Sequence, residues 1–150
     1  MRFTFLTIVS AVLFFVSVGV GQRPDQKTPG YHRLNPVDET EKWQYPYEVS
    51  AERKQKLLDA LDKFKEPVPI DDLINKLGSP DRIEDLKTRT KPLSHFESGF
   101  MAGNKDKFSY RCVWFARKAS KLPGLGDSWL AAYVDNDEKT VSAMHHNWLK

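Results

Sequence analysis

The stretch "KFSYRCVWFARKA", residues 107–119, sets the first limit on what this chain can become. Its side chains alternate with the period of a β-strand. Phe108, Tyr110, Cys112, Trp114 and Ala116 share one face, and Ser109, Arg111, Val113, Phe115 and Arg117 share the other. A strand this long needs partners, and the sequence after it supplies them. "SWLAAYV" (128–134) and "KTVSAMHH" (139–146) flank "DNDE", a turn-rich tetrad that closes a hairpin. "RIEDLKTR" (82–89) alternates weakly and adds a further strand, with a long polar loop over residues 90–106 between it and the strongest run.

Two helices precede the strands. From Ser50, a plausible N-cap, Leu57, Leu58, Leu61 and Phe64 form one apolar stripe that Pro67 ends. "IDDLINKLGSPD" (70–81) has Asp71 and Asp72 in its first turn, where unpaired backbone N–H groups favour carboxylates. Leu73, Ile74 and Leu77 form its buried stripe, Val68 lies at staple spacing from Leu73, Gly78 closes the helix and Pro80 prevents continuation. A helix this short needs packing to persist. The expected fold class is therefore α+β: two N-terminal helices packed on one face of a three- to four-stranded antiparallel sheet, the other face partly wet.

The beginning of the chain bears on address. Phe3 to Val20 carries no charge, follows Arg2, and is closed by small residues before Gln22. That is the pattern of a secretory signal peptide over 1–21, cut near Gly21-Gln22; the alternative is an uncleaved membrane anchor. The expected locale is periplasmic or extracellular. Residues 22–47 read as an arm or linker, with Pro24, Pro29, Pro36 and Pro46 but also Tyr31, Trp43, Tyr45 and Tyr47. Its last part, "EKWQYPYEV", has enough aromatics to dock on the domain at 48–150.

Composition narrows the function classes. Of 150 residues, 23 are Lys or Arg and 20 Asp or Glu. Such near balance does not point to nucleic acid, and the aromatic and basic run at 107–119 lacks the glycines of an RNA-binding strand motif. The one cysteine, Cys112, cannot close an intramolecular disulfide and reads as a buried hydrophobe. With Gly21 and Gln22 after the apolar run, no cysteine is placed for a lipid anchor. His145 and His146 are adjacent and point to opposite faces of a strand, while His32 and His95 lie in loops, so no metal site is expected. "DNDEKT" (135–140) fails as a calcium loop, with Thr140 where glycine is required and His146 where glutamate is.

The stretches "VPIDDLINKLGSPD" (68–81), "SYRCVWF" (109–115) and "AAYVDNDEKTVSAM" (131–144) resemble the SmpA/OmlA, or BamE-like, outer-membrane assembly lipoprotein family. The two-helix, three-strand unit is also similar to the repeat of secreted β-lactamase inhibitor proteins. Pro69 stands where that lipoprotein family has threonine, Glu138 where it has a turn glycine, and its lipidated cysteine is missing. The resemblance implies a small envelope binding module with no catalytic residue and no cofactor. The expected partner is an envelope or secreted protein, held by Arg111, Val113, Phe115 and Arg117 on the open sheet face, with Trp43 and Tyr45 as arm contacts. The alternative is a small-ligand site between the helices, the sheet and the 90–106 loop, lined by Tyr110, Trp114 and Trp129, and a hydrolase using Cys112 or a histidine metal site stands third.

Overall fold

A computed structural model describes residues 34–150, except 66, 91, 92, 94, 105, 125, 148 and 150 and the side chains of 95 and 96. The signal-peptide segment, residues 22–33 of the arm and His32 lie outside the described residues.

In chain order the elements are β1 (Val37–Asp38), a 3-10 turn (Glu39–Lys42), β2 (Tyr47–Glu48), α1 (Ala51–Lys63), β3 (Val68–Pro69), α2 (Ile70–Leu77), β4 (Arg82–Asp85), α3 (His95–Ala102), β5 (Phe108–Lys118), β6 (Ser128–Asp135) and β7 (Thr140–Asn147). Among the described residues the strands form one seven-stranded antiparallel sheet, ordered β1-β4-β5-β6-β7-β3, with β2 also on β5.

This corrects the expectation of two helices on a three- to four-stranded sheet. The class remains α+β, but the sheet is larger and a third helix is present. The four strands with readable alternation form the centre. The other three are two-residue pairings, too short to carry a period, and they are fixed by the tertiary partner rather than by local sequence. β1 extends the sheet beyond β4, β3 extends it beyond β7, and β2 joins β4 along one edge of β5. That strand pairs with β4 up to Val113 and with β2 at Arg117 and Lys118. Between them the Asp81 carboxylate accepts the Phe115 N–H at 2.8 Å, and the Ala116 carbonyl accepts from the Val49 N–H at 2.9 Å. A buried strand edge is thus left with its backbone groups paired.

The sheet is covered on both faces. α1 and α2 bring Leu57, Ala60, Ile70, Leu73 and Leu77 against Cys112, Trp114, Leu130, Ala132, Val134 and Val141. On the opposite face Met101 of α3 joins Phe108, Val113, Phe115, Trp129, Ala131 and Tyr133, with Trp43, Tyr47 and Phe100 packed on them. The expectation of a partly wet second face is therefore corrected as well. The aromatic arm and the short helix inside the 90–106 segment form its cover.

The helix ends are built largely as the residues require. The Ser50 hydroxyl accepts from the Arg53 N–H at 3.2 Å, capping α1. Pro69 takes the N-cap position of α2 and offers no side-chain bond; the Ile70 N–H donates instead to the Lys139 carbonyl at 2.7 Å. Gly78 ends α2 at φ 79°, ψ 177°, a region essentially reserved for glycine.

Candidate functional site

β5 does not keep a single alternation. Its register with β6 shifts between Phe108 and Tyr110 and again between Phe115 and Arg117. Each irregularity re-aims the side chains beyond it. Phe108, expected on the helix face, packs in the second core instead. At the other end Arg117 is turned out to solvent and Lys118 is turned in.

Lys118 is the centre of the first polar cluster. It is 1 % exposed, and its Nζ donates to the carbonyl of Ser120 at 2.8 Å and of Leu122 at 3.3 Å, and to Asp127 Oδ2 at 3.3 Å. Asp127 in turn accepts from the Ala119 N–H at 3.1 Å and the Gly124 N–H at 3.2 Å. The rings of Tyr45 and Phe115 each lie 5.7 Å from the Lys118 Nζ. The Tyr45 hydroxyl donates to the Thr40 carbonyl, which pins the arm in place. Trp43 stacks on Tyr47 at 3.8 Å and meets Phe115 edge-on at 5.9 Å. One buried lysine thus organises the arm on one side and the β5–β6 loop on the other.

That loop holds Leu122, the more exposed of the two large hydrophobic side chains that stand exposed among the described residues, the other being Val37. Leu122 is 75 % exposed, although the backbone carrying it is fixed from within. Lys121, next to it in the chain, and Arg117, near the end of β5, are also exposed. A recess of about 330 Å³ next to the loop is lined by Glu48, Val49, Lys54, Ala116, Arg117, Gly126 and Ser128.

A second polar cluster lies under α3. Arg111 Nε and Nη2 both reach Glu97 Oε1 at 2.6 Å, and Arg111 Nη1 reaches Glu84 Oε2 at 2.9 Å. Tyr133 donates its hydroxyl to the same Glu97 oxygen at 2.6 Å. The guanidinium rests 5.0 Å from the Trp129 ring, and Arg89 lies 3.3 Å from Glu84. Burial alone would lower the Arg111 pKa, but the Glu97 and Glu84 carboxylates outweigh it and raise it. The Tyr133 hydroxyl is pushed far up by burial, with the Glu97 charge adding to the effect.

The residues expected to hold a partner are therefore divided. Trp43, Tyr45 and Phe115 come together, but around Lys118 rather than in the open. Val113 is fully buried in the second core and Phe115 is 3 % exposed. Arg111 belongs to the α3 cluster, and Arg117 alone of the four strand residues faces solvent. The residues expected to line a ligand pocket are also separated. Trp114 and Tyr110 belong to the helix-side core, while Trp129 lies in the other.

Cys112 has no exposure, and burial pushes its thiol up to about 12, so it is not poised as a nucleophile. Among the described residues no group of His, Cys, Asp and Glu could hold a metal ion, and no helix is long and apolar enough to cross a membrane. The His95 side chain lies outside the described residues.

Sequence reasoning missed Lys118, Asp127, Glu97 and Tyr133. The bulges that turn Lys118 inward leave no mark on the alternation. For Asp127 one signal existed: an acid directly ahead of a strand, at the end of a loop containing two glycines, is placed to accept loop N–H groups.

No family model, curated protein or solved structure matches this chain.

Proposed function

We propose that this chain is an exported, non-catalytic binding module that docks on another envelope or secreted protein through the loop joining β5 and β6. The observation that carries this reading is Leu122, presented to solvent on backbone that the buried Lys118 and Asp127 hold from beneath. A lone exposed leucine means little by itself. A loop fixed internally by a buried charge pair is different, because it loses little conformational freedom when a partner takes it up. The partner that fits is a protein with an apolar pocket for Leu122 and acids at its rim for Arg117 and Lys121. Lys54 and Arg117 line the adjoining recess together with Glu48, which lies opposite Arg117 in the β2–β5 pairing. The aromatic arm then acts as scaffold, closing over Lys118 rather than reaching out.

The test is photocrosslinking in intact producing cells, with the reactive residue at position 122 and a control at Lys139, an exposed turn residue. The expected result is one envelope or secreted protein captured from 122 and not from 139. Leu122→Asp introduced in an untagged competitor should fail to compete, while leaving Tm unchanged. Equal capture from both positions, or competition by the Asp variant as strong as by the parent, overturns the reading.

A further inference from the structure

The cluster under α3 has an asymmetry that a plain structural bridge does not need. Its three donors, Arg111 Nε, Arg111 Nη2 and the Tyr133 hydroxyl, sit on β5 and β6, the two strands at the centre of the sheet. The acceptor these three share, Glu97, sits on α3, an eight-residue helix with Gly99 in its interior and no basic residue in its last turn, while the cluster's other carboxylate, Glu84, belongs to β4. A helix of that length is not stable alone, and an interior glycine weakens it further. The sheet therefore keeps the donor set whether or not α3 is docked.

Three donors converging on one carboxylate oxygen, with Nε and Nη2 side by side, make a strong and directional carboxylate seat. The Arg111 Nη1 is already taken by Glu84, which fixes the guanidinium, and Trp129 supports its face. Beside this seat Phe100 of α3 fills an aromatic slot. Its ring centroid lies 5.7 Å from Phe108, 5.1 Å from Tyr133 and 4.3 Å from His145. The helix thus offers the sheet a carboxylate and an aromatic ring a short distance apart.

We propose that the Arg111–Tyr133 pair and the adjoining Phe108–Tyr133–His145 slot form a binding site for a small aromatic monocarboxylic acid, which Glu97 and Phe100 occupy as a tethered stand-in when α3 is docked. With Glu97 withdrawn, Arg111 Nε and Nη2 and the Tyr133 hydroxyl lose the carboxylate they face, while Arg111 Nη1 stays on Glu84. Binding and docking of α3 are then mutually exclusive. This reading is independent of the β5–β6 loop, which lies at the other end of β5.

The probe is 3-phenylpropionate, with its neutral amide and sodium chloride as controls, applied to the whole chain and to Glu97→Ala. Removing the tethered carboxylate should let about 10 mM of the acid raise the Tm of Glu97→Ala by about 4 °C or more, and that of the parent by less. The amide and the salt should have no comparable effect. The further variant with Arg111→Met added should lose the response. Should Glu97→Ala fail to fold, the isosteric Glu97→Gln takes its place, read by the saturable shift of the Trp129 indole resonance alongside that of the parent. A folded variant that treats acid and amide alike, or a response that survives Arg111→Met, overturns the proposal.

Discussion

The Trp114 indole Nε1 donates to the Gly78 carbonyl across 2.9 Å, so the central strand holds the exit of the second helix directly. Arg53 of α1 donates to the preceding carbonyl, that of Leu77, at 3.2 Å. Both helices and the sheet meet at this one turn. Trp114→Phe should cost about 2–4 kcal/mol, from the lost bond, the orphaned carbonyl and the residual cavity. Gly78→Ala should cost about 1–3 kcal/mol from backbone strain, since an added Cβ would meet nothing closer than Arg53 Nη1 at 3.7 Å. Urea denaturation of the two variants and their double measures both, and the double should fall short of the sum because the sites share one contact.

Lys118 and Asp127 make a second test. Removing the lysine alone, as Lys118→Met, leaves a buried carboxylate without its ion partner and should cost about 3–5 kcal/mol. Lys118→Met with Asp127→Asn should recover part of that loss. Hydrogen exchange should show faster opening at Ala119 and Gly124, whose N–H groups Asp127 accepts, with little change in α2.

Cys112 should be inert in the native protein. Burial raises its thiol to about 12, so the thiolate that a maleimide attacks is scarce as well as covered. Mass spectrometry after a maleimide pulse should find no adduct at neutral pH until urea reaches the unfolding transition. Rapid labelling of the folded chain would restore the thiol chemistry that the structure argues against.

His145 gives a pH dependence with a definite sign. Burial lowers its pKa, the Glu97 charge opposes this, and His146 and Arg111 add to the lowering. The unfolded chain then binds the proton more readily than the folded one below the ordinary value of 6.5. The contribution is fully present above pH 6.5 and is lost as pH falls through the lower folded value. Chemical denaturation of the parent and of His145→Gln should diverge over that interval, with the parent losing stability the faster on acidification.

Much of the centre of this fold is legible in its residues. The Leu57, Leu58 and Leu61 stripe marks α1, the acids, leucines and Gly78 mark α2, and alternation marks β5. Those are local signals with several residues repeating one period. The unread parts have no such repetition. β1, β2 and β3 are two residues each, and "HFESGFMA" reads as a polar loop because its helix is held by Glu97, Phe100 and Met101 touching a distant sheet. The candidate site fared likewise. Phe115 and Val113 on the second face of β5 read as open because the cover over them, the arm and α3, carries no periodic signal, and Lys118 is turned inward by a bulge before Arg117 that the alternation does not show.

The arm has a consequence in time. Tyr47 pairs with Lys118 and Val37 with Ile83, so the first described residues to leave the ribosome close against residues made much later. Until β5 has been synthesised, Trp43, Tyr45 and Tyr47 have no surface to cover. Such non-local closure is slow relative to local helix formation. The nascent chain therefore carries an uncovered aromatic cluster until residue 118 has been made, the kind of segment a holding chaperone engages.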